Sequence, residues 1–125
     1  MVKKDLTFEE ARSSLKVASL LINLASETSN PLDKDILIRE AFESIFYASR
    51  VALTTFLLKE VKKLSSVEKD SFYKDKFKEF FRVLHLKYSC NGDYPKEKFV
   101  EEFNLWLENV EKYVNELESK TKRDS

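Results

Sequence analysis

The chain has 125 residues with 22 basic and 22 acidic side chains, so it can bury one core but not two, and no net field steers it toward nucleic acid. A single glycine and two prolines beside 35% charged residues suit long helices with few turns and exclude a turn-rich β protein. One cysteine and one histidine exclude an intrachain disulfide, a thiolate metal cluster and the two-histidine zinc motifs, and a di-iron bundle would need repeated Glu-x-x-His units.

The first residues, MVKKDLTFEEA, turn acidic at once and lack the apolar stretch of a secretory signal. The longest apolar runs fall short of the roughly 20 residues of a membrane span, and the run 51–58 holds Thr54 and Thr55. The expectation is one soluble, cytoplasmic domain over 1–125, with a core at about 7–118 and a frayed tail at 119–125, and with no metal or cofactor.

Thr7-Phe8-Glu9-Glu10 reads as a capping box, the Thr7 hydroxyl accepting from the Glu10 amide. Behind it Phe8, Ala11, Leu15, Ala18, Ile22 and Ala25 recur every three or four residues and form one apolar helical face. The polar stretch 26–29 ends this first helix. Asn30 begins the second, with Pro31 in its first turn and Asp33 and Asp35 at the positive end of the dipole.

The second helix, running to about residue 64, is the most informative part of the chain. It carries two apolar stripes: Ile38, Phe42, Ile45, Ser49, Ala52 and Phe56, and beside them Ala41, Ala48 and Thr55, small enough for another backbone to approach closely. A helix with two such stripes is central to a bundle, and the small stripe suits a crossing within one chain or between two subunits.

Ser65 and Ser66 break the pattern and cap a third helix, with Glu68 three residues after Ser65; residues 65–72 read equally as a loop or as its first turns. Tyr73, Phe77, Phe80, Phe81, Leu84 and Tyr88 give this helix an aromatic face, read as core filling rather than as a base-stacking platform. Asn91-Gly92 supplies a left-handed stop. Pro95 then opens a fourth helix with the face Phe99, Phe103, Trp106, Val110, Tyr113 and Leu117, and with Glu101, Glu102, Glu108, Glu111, Glu116 and Glu118 on its outer side. Cys90 falls in the helix-to-loop transition, apart from the histidine, and reads as an ordinary thiol.

This order of helices, and above all the central run IREAFESIFYASRVALTTFLL with Arg39, Glu40, Ala41, Phe42, Tyr47, Ala48, Arg50 and Leu53, resembles the HEPN superfamily over about residues 8–118. The resemblance implies an all-α, up-and-down four-helix bundle, usually dimeric. Many of its members are metal-independent ribonucleases or partners of small nucleotidyltransferases. Their signature is an arginine followed after four to six residues by a histidine near the start of the last helix. Here Arg82-Val83-Leu84-His85 leaves two residues between and lies on the third helix, and the fourth has neither residue type.

Three readings follow. The favoured one is a diverged, non-catalytic HEPN-like module, a homodimer that contacts RNA, a nucleotide or a nucleotidyltransferase partner, with Lys74, Lys78, Lys87, Arg39 and Arg50 as binding residues. The second is a ribonuclease in which His85 takes the 2′-hydroxyl proton and Arg82 stabilises the phosphoryl charge, the two sharing a helical face three residues apart. The third is a protein scaffold without a nucleic-acid role, in which Arg82 is a solvated residue paired with Glu79 or Asp75.

Overall fold

A computed structural model describes residues 7–60 and 67–123 of the protein. Its first helix, α1 (Phe8–Glu27), begins at Thr7, whose Oγ1 accepts from the Glu10 amide at 3.2 Å, and all six residues of the expected apolar face are buried. Asn30 Oδ1 accepts from the amides of Leu32 and Asp33, and α2 (Pro31–Glu60) follows. The expected end of this helix near residue 64 and the capping by Ser65 and Ser66 lie outside the described residues. From residue 67 the chain is helical, as α3 (Val67–Phe80), which settles 67–72 as helix. It passes without a break into a π-helical segment (Phe81–Cys90), and α4 (Phe99–Arg123) closes the chain.

Among the described residues the protein is thus an all-α four-helix bundle without strands, built around α2. Both stripes of α2 are buried, Phe42, Ile45, Phe56, Ala41 and Ala48 completely and Thr55 almost so. The Ser14 hydroxyl donates to the Ser44 carbonyl at 2.8 Å, and Ser44 lies one turn from both Ala41 and Ala48. The close approach that the small stripe allows is therefore made by α1, with its own alanines, inside one chain. By length and composition Pro31–Lys59 would also suit a membrane span, contrary to the sequence expectation, but 61% of its most apolar window is buried in the bundle. Its apolar character has a use as a core helix.

Helices α3 and α4 meet differently, through large rings. Phe80 packs edge-on against Trp106 and Tyr113, and the Tyr113 hydroxyl donates to the Tyr73 carbonyl at 2.8 Å. Phe42 of α2 fills the centre between Tyr88, Tyr94 and Phe103, with ring centroids 4.8 to 6.1 Å away. Offset and edge-on rings of this kind add to plain area burial.

Three expectations for the last third of the chain change. Pro95 does not open α4, which starts four residues later at Phe99. The turn between is instead packed onto the start of α2: the Tyr94 ring is buried, its hydroxyl donates to Asp35, and Lys96 caps the Gly92 carbonyl with its Nζ 3.7 Å from the Tyr94 ring centre. Helix α4 runs to Arg123, past the expected start of the tail at 119, and Arg12 ties α1 to Asn115 and Glu118. Glu102 leaves the acidic outer face and turns inward, its carboxylate accepting from the Tyr88 hydroxyl and from Trp106 Nε1.

Candidate functional site

The seam between α2 and the π segment gathers the chemistry of this chain. A π-helix pairs each amide with the carbonyl five residues back rather than four, and at functional sites it is usually confined to a single turn; here it extends over ten residues. The spacing Phe80, Leu84, Tyr88 keeps one buried face through it. The winding changes what lies above what: residues four or five apart superpose, and residues three apart diverge.

His85 accordingly packs beside Phe81, with ring centroids 5.2 Å apart and planes tilted by 30°, and it stacks on Phe46 of α2 at 5.1 Å and 29°. Its Nδ1 lies 2.7 Å from Glu43 Oε1, also on α2. A carboxylate only accepts, so Nδ1 carries the proton in the neutral ring and Nε2 is left as the acceptor. That Nε2 faces Cys90 Sγ at 3.7 Å, five residues on. Cys90 is exposed. Side by side with a histidine, it departs from the expectation of a thiol set apart; an α-helix would turn residue 90 away from residue 85, whereas the π winding brings it over.

The segment ends where Gly92 takes φ +67°, with the amides of Asn91, Gly92 and Asp93 donating to the carbonyls of Leu86, Tyr88 and Lys87. Arg39 lies across this stop. Its Nε is 3.1 Å from Asp35 Oδ2 and its Nη1 donates to the Cys90 carbonyl at 3.3 Å. The positive φ favours glycine, and a Cβ on residue 92 would come within 2.2 Å of Arg39 Nη2, so the guanidinium would have to shift to admit it. Below, burial and then the Glu102 carboxylate push the Tyr88 hydroxyl up to about 12, and burial and then Asp35 push Tyr94 up likewise.

The sequence-derived residues fall into two groups. Arg82 is exposed, and among the described residues no hydrogen bond or ion pair joins it to His85, Glu79 or Asp75; Asp75 has Lys78 at 3.9 Å instead. The shared face expected for Arg82 and His85 belongs to an α-helix and is lost in the π winding. Arg50 is exposed one turn beyond Phe46, which itself touches Phe77 and Phe81. Lys74 and Lys78 are exposed on α3, the helix that carries Phe77 of the ring cluster. Arg39 stands at the Gly92 stop, and Lys87 is exposed with its Nζ 6.0 Å from the Tyr88 ring centre. Glu43, Phe46, Gly92 and Cys90 were not among the expected site residues. The spacing His-x4-Cys was visible, but it signals contact only in a π-helix.

No cluster of three or more histidine, cysteine, aspartate or glutamate side chains able to hold a metal occurs among the described residues. Cavities of about 190 and 310 Å³ lie between α1 and α4 and at the start of α2 beside Tyr94, and at the seam Phe81 and Cys90 are exposed.

The fold and site together define a class: an all-helical bundle whose central helix carries one edge of a polar and aromatic surface seam. No family model, curated protein or solved structure matches the chain.

Proposed function

We propose that the protein is a HEPN-like helical module that binds RNA without cleaving it. The observation that carries this reading is the pair of partly exposed rings, Phe81 and His85, with the exposed cations Arg50 on α2 and Lys74 and Lys78 on α3, the helices that flank them, and Arg39 at the Gly92 stop. Unstacked bases lie on such rings while the cations follow the phosphates, at about 1–3 kcal/mol per stacked base. Binding is favoured over cleavage because, among the described residues, no hydrogen bond or ion pair joins Arg82 to His85, and because Glu43 places a carboxylate against the ring that would have to approach a phosphate.

The test is incubation of single-stranded RNA with purified protein, read for retention and for intact length. Retained, full-length RNA is expected. Cleavage that His85→Ala abolishes would replace this reading with the nuclease.

A second surface favours a protein partner in addition. Val17, Leu20 and Leu24 form an exposed apolar stripe on α1, and Leu32 and Ile36 are exposed on the first turns of α2. A second copy of the chain, or a nucleotidyltransferase-type partner, would cover it, so the proposed homodimer uses this outer face and not the small-residue stripe that α1 already occupies.

A further inference from the structure

The RNA reading uses the rings and cations of the seam but not the thiol beside them. Nucleophilic chemistry by a cysteine needs three things: an accessible sulfur, a base in reach of its proton, and a group that fixes the base. All three are present. Cys90 is exposed, His85 Nε2 faces it at 3.7 Å, and Glu43 holds the opposite ring nitrogen at 2.7 Å while Phe46 and Phe81 fix the ring plane. The C-terminal end of the helix gives a bare thiolate no help, so the imidazole has to act as the base.

We propose that Cys90 is a modification site for low-molecular-weight disulfides, with His85 as the base and Glu43 as its positioning residue. Acyl transfer is the other reaction such a set could serve, but it requires free amide donors for an oxyanion. The amides that follow Cys90 are committed, those of Asn91, Gly92 and Asp93 to the carbonyls of Leu86, Tyr88 and Lys87. Thiol–disulfide exchange needs no such donors.

His85 Nε2 takes the Sγ proton, and the sulfur attacks one sulfur of the disulfide. The new Sγ–S bond forms as the old S–S bond breaks, and the departing thiolate takes the proton back from the imidazolium. The products are a mixed disulfide on Cys90 and one free thiol. With a single cysteine in the chain there is no internal thiol to resolve the adduct, so it persists until an external thiol removes it.

The experiment follows adduct formation with glutathione disulfide by intact mass at neutral pH, for the folded protein and for the same chain unfolded in guanidinium chloride. The folded protein is expected to react about a hundredfold faster, the low end of what a positioned base contributes. His85→Gln, checked for helix content by circular dichroism, is expected to fall to the unfolded rate. Glu43→Gln is expected to fall in part and to move the pH profile, with recovery in Glu43→Asp. A folded protein that reacts no faster than the unfolded chain overturns the proposal, and that comparison needs no variant. An unchanged rate in a folded His85→Gln overturns it as well. No RNA is present, so the outcome is separate from that of the binding reading.

Discussion

Gly92→Ala tests the geometry of the stop that holds Cys90 beside His85. Two costs are expected. The left-handed backbone, φ +67° here, disfavours alanine by about 1 kcal/mol. The added Cβ would sit 2.2 Å from Arg39 Nη2 and 2.6 Å from Cζ, so the guanidinium has to leave. It then loses a half-exposed ion pair with Asp35, worth about 0.5 kcal/mol, and a hydrogen bond to the Cys90 carbonyl, worth about 1 kcal/mol. The sum is about 2.5 kcal/mol. Arg39→Ala alone removes only the second part, about 1.5 kcal/mol. With the guanidinium gone, alanine at 92 meets no clash, so the double variant is expected near 2.5 kcal/mol rather than the additive 4 or so. Urea unfolding of the four proteins, with constant slope m as the check on two-state behaviour, measures the cycle. Additive losses, or a Gly92→Ala variant as stable as the parent, would refute the packing of Arg39 on Gly92.

Further outcomes follow from the buried hydroxyls and the exposed apolar stripe. Tyr88 is raised from 10.0 to about 12 in the folded state, so its neutral form is the folded one; below pH 10 both states keep the proton and the stabilisation is complete. Between pH 10 and about 12 the unfolded chain releases a proton that the folded chain retains, so the urea midpoint is expected to fall over that window and to fall less in Tyr88→Phe. Tyr94 and Tyr113, raised in the same direction chiefly by burial, deepen the fall. Tyr113→Phe removes the buried hydroxyl's hydrogen bond to the Tyr73 carbonyl and is expected to cost about 1 kcal/mol at neutral pH, read as a lower midpoint at unchanged m. Leu20→Glu is expected to give a monomer by light scattering without loss of helix content, because Leu20 is 65% exposed within one chain; an unchanged dimer would place the interface elsewhere.

What the sequence made legible was set by side-chain periodicity. Phe8 to Ala25 on α1, and Ile38 to Phe56 on α2, repeat at helical spacing without interruption, and hydrophobic burial alone then fixes which face turns inward. The Thr7 and Asn30 caps were legible for a similarly local reason, since a short side chain can reach only the amides of its own first turn. The π segment was not. Phe80, Leu84 and Tyr88 at four-residue spacing satisfy either winding, and what separates the two is the backbone hydrogen-bond register, which leaves no mark on the pattern of residues.

The site was hidden with the winding, because the meeting of His85 with Cys90, and the parting of Arg82 from His85, both depend on it. Glu43 lies 42 residues from its partner and reads locally as one more charge on an amphipathic helix. Pro95 misled for another reason. Proline suits a first helical turn, but the burial of Tyr94 and its hydroxyl's bond to Asp35 hold those residues in a turn against α2, and the helix waits until Phe99.

The binding reading is tested most directly by titrating labelled single-stranded RNA with the protein and with the triple variant Arg50→Ala, Lys74→Ala, Lys78→Ala across a salt series. The account predicts binding that weakens as salt rises, and a logarithmic salt slope shallower by about 2 in the variant, from roughly 0.7 for each lost phosphate contact on a single strand. RNA that does not bind at low salt, or a variant with the affinity and slope of the parent, would contradict it.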